Sequence, residues 1–308
     1  MTTIAHTLAG LDLGPPQTFK NLAVFPLFGR DDAPPDYLTL DEALDAGAAR
    51  ISEVSESGSV PELCFVNGSA EQILLVDGEE LVGARQNRIL NLSILVGARQ
   101  TVVIPVSCVE RGRWSYRGRH FGSARRSLYA NARAAKMRDV STHMRATGSR
   151  ASDQGRVWAD IERKQQALRV ESPTEAMADL YDAREKDTGA YETAFTAAPR
   201  QVGAVFAING TVRGADVFDS ALTFRKFLRK LLGSYALDAV EEQDVAAAPA
   251  PTLAHVEAFL AQLRDAPETR YKALAEGEDV RLESPGAAAG ALEVGGKVVH
   301  LAAFAVEG

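Results

Sequence analysis

The first third of the chain alternates short apolar runs with turn residues. LAVFPLF (22–28) is followed by ARISEV, ELCFVNG, QILLVDG, RILNLSILVG and TVVIPVSCV. Runs of roughly 5–7 residues, punctuated by Asn67-Gly68 and Asp77-Gly78, have the length and turn chemistry of strands. Their spacing predicts a β-sandwich-like unit or open barrel over residues 17–121. Inside it, TLDEALDAG (39–47) reads as a brief helix. Thr39 and Glu42 stand at capping-box spacing and Gly47 can end the turn.

The pattern changes after residue 121. SARRSLYANARAAKMRDV (123–140) is rich in Ala and Arg and predicts a helix. SDQGRVWADIERKQQALRV puts Val157, Ile161 and Leu168 on one helical face, with Ser152 as a cap. SPTEAMADLYDAREK opens on Ser172, Pro173 and Glu175, a predicted capping box. The Ser/Thr/Gly-rich segment 141–155 reads as a mobile loop. Residues 122–200 are thus expected to be a basic helical segment.

Residues 201–308 mix both periods. QVGAVFAINGTVRGADVF predicts a hairpin with Asn209-Gly210 at its tip. Ser220 caps a helix striped by Leu222, Leu228, Leu231 and Leu232. Thr252 caps another, after the connector AAAPAP (246–251). The end of the chain is a second hairpin around Gly295-Gly296. The expected class is α+β. An N-terminal sandwich-like unit, central Arg-rich helices and a C-terminal mixed region pack on one body, with no true linker.

Composition narrows the functional classes. No apolar run of 308 residues reaches the roughly 18–20 needed to span a bilayer, and no secretory signal is apparent. The two cysteines, Cys64 and Cys108, do not form a disulfide scaffold. A cytoplasmic protein without membrane contact is expected. Net charge is −7, yet residues 111–170 hold 15 Lys and Arg against 4 Asp and Glu, a local +11. Such a segment is either an anion-binding face or a set of cations paired with acids elsewhere in the fold. Nucleic acid is not the expected partner, because no recognised module accompanies the basic segment.

No phosphate loop, dinucleotide fingerprint, nucleophile elbow or metal-ligand spacing is present. No cofactor is assigned and no structural metal is expected. One segment is conspicuous: VDGEELVGARQNRILNLS (76–93), polar between two apolar runs. Arg85 and Arg88 flank Gln86 and Asn87, a donor set suited to phosphate or carboxylate. Two arginines three apart converge only across a bend, which Gly83 permits. At least one guanidinium is then expected to be held bidentate by Glu79, Glu80 or Glu110. IPVSCVERGRW (104–114) supplies further candidates. Cys108 and Glu110 follow Ile104 and Val106 on one strand face, and Arg113 and Trp114 come next, with Tyr116 beyond. A cysteine nucleophile needs a lowered pKa and access, whereas a free cysteine is commonly a small core residue. Asp216, in GADVFDS, is a weaker candidate, and His300 reads as a hydrogen-bonded core histidine.

LLVDGEELVGARQNRILN, IPVSCVERGRW and ADVFDSALTFRKFLRKLLGSYALDA together resemble the ARG-and-rhodanese-phosphatase-superfamily-associated protein domain, in whose name ARG stands for ADP-ribosylglycohydrolase. The resemblance runs from about Phe19 to the C-terminal hairpin. It points to Glu79, Arg85, Gln86, Asn87, Arg88, Cys108, Glu110, Arg113 and Trp114, without assigning roles. It implies, by association, a place near NAD or ADP-ribose chemistry. Two readings follow. In one, the protein binds a phosphorylated, nucleotide-like or ADP-ribose-related anion, with or without turnover. Arg85, Gln86, Asn87, Arg88, Arg113 and Trp114 hold the ligand. Any hydrolysis would draw its base from Glu79, Glu80 or Glu110, or its nucleophile from Cys108. In the other, it is a noncatalytic interaction protein or homo-oligomeric scaffold whose polar residues lock strands together. A site places them on one open cleft; a scaffold buries them in mutual pairs.

Overall fold

The computed structural model describes residues 1–30, 34–55, 61–113, 115, 118–245 and 248–306. The class is α+β. No described helix is long and apolar enough to cross a membrane.

The C-terminal strands form most of an antiparallel sheet of nine strands. Gln201–Ile208 and Thr211–Phe218 pair as a hairpin across the Asn209-Gly210 turn, and Ala287–Val294 and Lys297–Ala305 pair across Gly295-Gly296. The sheet extends through Glu278–Glu283 and Glu268–Lys272 on one side. On the other, Leu22–Phe28 pairs with Gln201–Ile208 and carries the short strands Asp12–Leu13 and Gln17–Phe19. Every residue of Gln201–Ile208 is buried because helices cover both faces. Val24, Ala204 and Phe206 face helix Ala221–Glu241. Phe25, Val205 and Leu301 face helices Thr3–Ala9 and Leu253–Asp265. Of the predicted leucine stripe on helix Ala221–Glu241, Leu228, Leu231 and Leu232 are buried, while Leu222 points outward.

The remaining strands correct the expectation of a sandwich. Six of them close into a barrel: Thr101–Cys108, Glu62–Asn67, Ala49–Glu53, His120–Ser127, Glu79–Gly83 and Arg88–Leu90, which returns to Thr101–Cys108. The closing element is His120–Ser127. It pairs with Ala49–Glu53 at one end and with Glu79–Gly83 along most of its length. Residues 123–127, expected to be helical, are drawn into this strand. A bulge between Ser123 and Ser127 absorbs the mismatch, with Arg125 at φ 55. Tyr37–Thr39, Gln72–Leu75 and Ile94–Val96 make a separate three-stranded sheet, whose apolar side chains join the barrel core. Helix Leu40–Asp45 has the predicted Thr39/Glu42 capping box.

The central helices differ in detail from expectation. Helix Ala130–Thr147 runs through the first half of the segment read as a mobile loop and ends on Gly148 in the left-handed conformation. The remainder is tied to the barrel: Ser152 Oγ meets Ser107 Oγ at 2.5 Å, and Asn91 Nδ2 donates to Arg150 O at 3.0 Å. Asp153, not Ser152, caps helix Gln154–Leu168. No helix begins at Ser172. The chain there bridges to the end of the barrel, Glu110 opposite Ala176, and helix Met177–Ala183 follows.

The basic segment is largely neutralised within the fold. Arg113 pairs with Glu110, Arg126 with Asp182, Arg133 with Asp216, Lys136 with Asp77, Arg156 with Asp139, and Lys164 with Asp238. Arg126–Asp182, Arg133–Asp216 and Lys136–Asp77 join helices to the barrel and sheet, and Arg156–Asp139 and Lys164–Asp238 join helix to helix.

Candidate functional site

The segment 79–90 is a hairpin, with Leu81 opposite Arg88 and Glu80 opposite Ile89. The predicted bend is present: Gly83 has φ 139 and Ala84 φ 36. A side chain at Gly83 would put its Cβ 2.4 Å from the His120 carbonyl, so only glycine lets this hairpin lie against His120–Ser127. Side chains alternate across the barrel wall. Leu81 and Leu90 belong to the interior cluster. Arg88, opposite Leu81 and two residues before Leu90, therefore faces the interior. Cys108, its partner on the next strand, does the same. Glu80 and Asn87 lie on the outer side.

The outer group is a closed network at one end of the barrel. Glu110 Oε2 accepts from Arg113 Nη2 at 2.7 Å and from the Asn87 backbone N–H at 3.1 Å. Its other oxygen accepts from Thr174 Oγ1 at 3.2 Å. Arg113 also donates to Ala84 O at 2.9 Å and to Asn87 Oδ1 at 3.2 Å. Asn87 Nδ2 donates to Glu80 Oε1 at 3.3 Å, and Arg126 Nε stands 3.4 Å from the other Glu80 oxygen. Burial pushes the Glu80 carboxyl up to about 7, against the pull of Arg126 and of the Asn87 hydrogen bond.

Inside the barrel the accounting is different. Arg88 is fully buried, and its Nη1 donates to Gln86 Oε1 at 3.1 Å and to Asn87 O at 3.4 Å. Its Nε and Nη2 have no hydrogen-bond partner. None of the ion pairs of the described residues includes Arg88, so the carboxylate clamp expected of at least one of Arg85 and Arg88 is not made by Arg88. Glu110 is taken by Arg113, Glu80 by Arg126 and Glu79 by Lys230. Burial lowers the Arg88 pKa, against the pull that an ionised Cys108 or Glu53 would exert. The Cys108 thiol donates to Gln86 Oε1 at 3.2 Å and is pushed up by burial. A buried thiol held in this way is a poor nucleophile.

The other sequence candidates scatter. Glu79 lies at the opposite end of the barrel, accepting from Lys230 Nζ at 2.5 Å and from the Val76 N–H at 2.7 Å; burial raises its pKa. Arg85 is half-buried at the hairpin tip. Trp114 and Tyr116 lie outside the described residues, as do the first two residues of the AAAPAP connector. Among the described residues no cluster of His, Cys, Asp and Glu could hold a metal ion.

A second buried polar centre joins the barrel to the large sheet. Arg133 grips Asp216 with two nitrogens, at 2.7 and 3.2 Å. His300 Nε2 lies 3.3 Å from Asp216, and His300 Nδ1 lies 2.7 Å from Ser93 Oγ. Ser93 in turn accepts from the Asp77 N–H at 3.0 Å, and Asp77 binds Lys136. Burial opposes ionisation of Asp216, but Arg133 and His300 outweigh it and hold the carboxyl at about 2. Beside Ser93 is a cavity of about 10 Å³, also lined by Asp279 and Arg281, room for about one water. The sequence reading noticed Asp216 and His300 singly. It missed Ser93, an uncharged loop residue that leaves no local signal, and Arg133, Lys136 and Lys230, whose only signal is charge on an otherwise buried helical face.

These features define an α+β protein in which a closed barrel, with an uncompensated arginine inside one end, is clamped to a large antiparallel sheet. The chain belongs to the family of the ARG and Rhodanese-Phosphatase-superfamily-associated Protein domain, whose model matches residues 10–304. No curated protein and no solved structure matches it.

Proposed function

We propose that this chain binds a small anionic molecule at the end of its barrel, with Arg88 as the anchor. One observation carries the reading. The Nε–Nη2 edge of Arg88, the side of a guanidinium that takes two oxygens of a carboxylate or phosphate, is buried without a partner. A cation out of water and unpaired costs several kcal/mol, so a fold that keeps one is organised for a counter-charge. Gln86 and Asn87 fix the opposite edge and so orient the fork. A phosphorylated, nucleotide-like ligand is the finer reading. Its support is the donor chemistry and the association with phosphatases that the family's description prints.

Hydrolysis has weaker support. Glu110 is saturated, Glu80 lies outside the wall that Arg88 faces, and Cys108 is a buried thiol. The noncatalytic scaffold reading is favoured by the closed Glu80–Asn87–Glu110–Arg113 network. Thermal-shift measurements separate the two, using inorganic phosphate, a nucleoside monophosphate and ADP-ribose against wild type and Arg88→Met. A ligand at about 100 times its dissociation constant stabilises the native state by roughly 2.7 kcal/mol. The expected result is such a shift in wild type and none in Arg88→Met. No shift with any of the anions leaves the scaffold reading standing.

A further inference from the structure

Arg88 is not the only unsatisfied charge inside the barrel. Both carboxylate oxygens of Glu53 are buried and have no hydrogen-bond partner. Glu53 follows Ile51 by two residues and stands opposite Leu63, and both of these belong to the interior cluster. Its side chain therefore faces inward. In the ring of six, Arg88–Leu90 is flanked by Thr101–Cys108 and Glu79–Gly83, while Ala49–Glu53 is flanked by Glu62–Asn67 and His120–Ser127. The two strands are diametrically opposed. Both residues sit at the same end, because Glu53 and Cys108 each close a strand there and Arg88 pairs with Cys108. The charge of Glu53 is felt at Arg88, yet the two form no ion pair.

An acid and a base that face each other across a protein interior normally collapse into contact, since each alone is costly. Here each leaves a hydrogen-bonding edge buried and without a partner. We propose that Glu53 and Arg88 are the two ends of one recognition site. Its ligand carries an oxoanion at one end and a hydrogen-bond donor, hydroxyl or ammonium, at the other. This rests on the anion-binding reading of Arg88 and adds the ligand's second group. An anion alone satisfies Arg88 but is repelled by Glu53. A donor on the far side of the ligand removes that repulsion and satisfies the carboxylate, so Glu53 is a specificity residue.

Calorimetric titration of three phosphates tests this. Methyl phosphate has the anion only, glycerol 3-phosphate adds hydroxyl donors, and phosphoethanolamine adds an ammonium. At least one donor-bearing ligand is expected to bind wild type tenfold or more tighter than methyl phosphate. In Glu53→Met that advantage disappears while methyl phosphate binds as well as before or better. Glu53→Gln, which keeps an acceptor and drops the charge, retains a hydroxyl advantage and loses an ammonium one; it also serves if the Met variant does not fold. Equal binding of all three ligands to wild type, or an advantage that survives in both Glu53 variants, overturns the role of Glu53 and leaves Arg88 as a simple anion site. If none of the three binds, the anion reading itself fails and this inference with it.

Discussion

Glu110 and Arg113, three residues apart, form a 2.7 Å ion pair in which both side chains are buried. The pair closes the end of the barrel, because Arg113 also ties down the Ala84 carbonyl and the Asn87 amide. Removing one member strands the other. Arg113→Met is expected to destabilise the fold by about 3–5 kcal/mol, read as a lowered midpoint in urea. A variant that unfolds with the parent would show that the network closes nothing.

Arg88→Met is expected to move stability the other way. Arg88 forms no ion pair to break, and methionine fills similar space without a charge, although Glu53 across the barrel loses the attraction of the guanidinium. Losing the Gln86 and Asn87 hydrogen bonds offsets part of the gain. A net stabilisation of roughly 1–3 kcal/mol follows, together with loss of the anion-induced shift. The opposite signs for Arg88 and Arg113 distinguish a binding arginine from a structural one in a single urea series. If Arg88→Met falls as far as Arg113→Met, Arg88 is structural too.

Much of the fold could be read from the chain, and the reasons are local. Asn209-Gly210 and Gly295-Gly296 each force a tight turn between apolar runs, so both hairpins were visible. Thr39 and Glu42 write a capping box into six residues. The barrel was not visible as such, because closure depends on which strand His120–Ser127 reaches, and pairing partners far apart leave no local trace. The same holds for the site. Glu79 and Glu80 are neighbours in sequence but go to opposite sides of a strand and to different cations. Glu53 and Arg88 are 35 positions apart by number and meet only through the ring of strands. Alternation on one strand could be read, whereas convergence of several strands could not.

The Cys108 thiol is expected to resist alkylation. It is buried beside Gln86, and burial raises its pKa despite the nearby Arg88 charge. Iodoacetamide at pH 7.5, roughly one unit below the usual thiol pKa, should label half-buried Cys64 well before Cys108, with both labelled in urea. Mass spectrometry of the two peptides gives the order. Rapid native labelling of Cys108 would place it in an accessible, activated environment and reopen it as a nucleophile.

Glu80 sets a pH dependence near neutrality. Its folded pKa of about 7 lies above the ordinary glutamate value of 4.5, so the folded state binds the proton more tightly. The stability tied to that proton is fully present below about 4.5 and is lost as pH rises through about 7. At about 1.4 kcal/mol per pH unit between the two values, the loss is roughly 3 kcal/mol. Glu80→Gln keeps the acceptor for Asn87 and removes the titration. Its stability relative to wild type should rise between pH 5 and pH 8, read from urea midpoints at each pH. A difference that stays flat over that range would mean that Arg126 keeps Glu80 ionised throughout.

Asp216 sets the opposite dependence at acid pH. It is fully buried between Arg133 and His300, at the point where the large sheet meets the helix that reaches the barrel through Lys136. Its folded pKa of about 2 lies below the ordinary aspartate value of 3.8, so the folded state prefers the ionised form. The stability tied to that charge is present above about 3.8 and is lost as pH falls through about 2, roughly 2 kcal/mol in all. Asp216→Asn removes the charge and leaves Arg133 with Asp77 alone, whose nearest oxygen is 3.4 Å away. At pH 7 the variant should be less stable by about 3–5 kcal/mol. That deficit should narrow by about 2 kcal/mol as pH is lowered from 5 toward 2, because wild type loses there what the variant never had. Urea unfolding at half-unit steps of pH supplies the curve. A deficit that does not narrow would show that Asp216 acts through shape and hydrogen bonds, and that its charge does not hold barrel and sheet together.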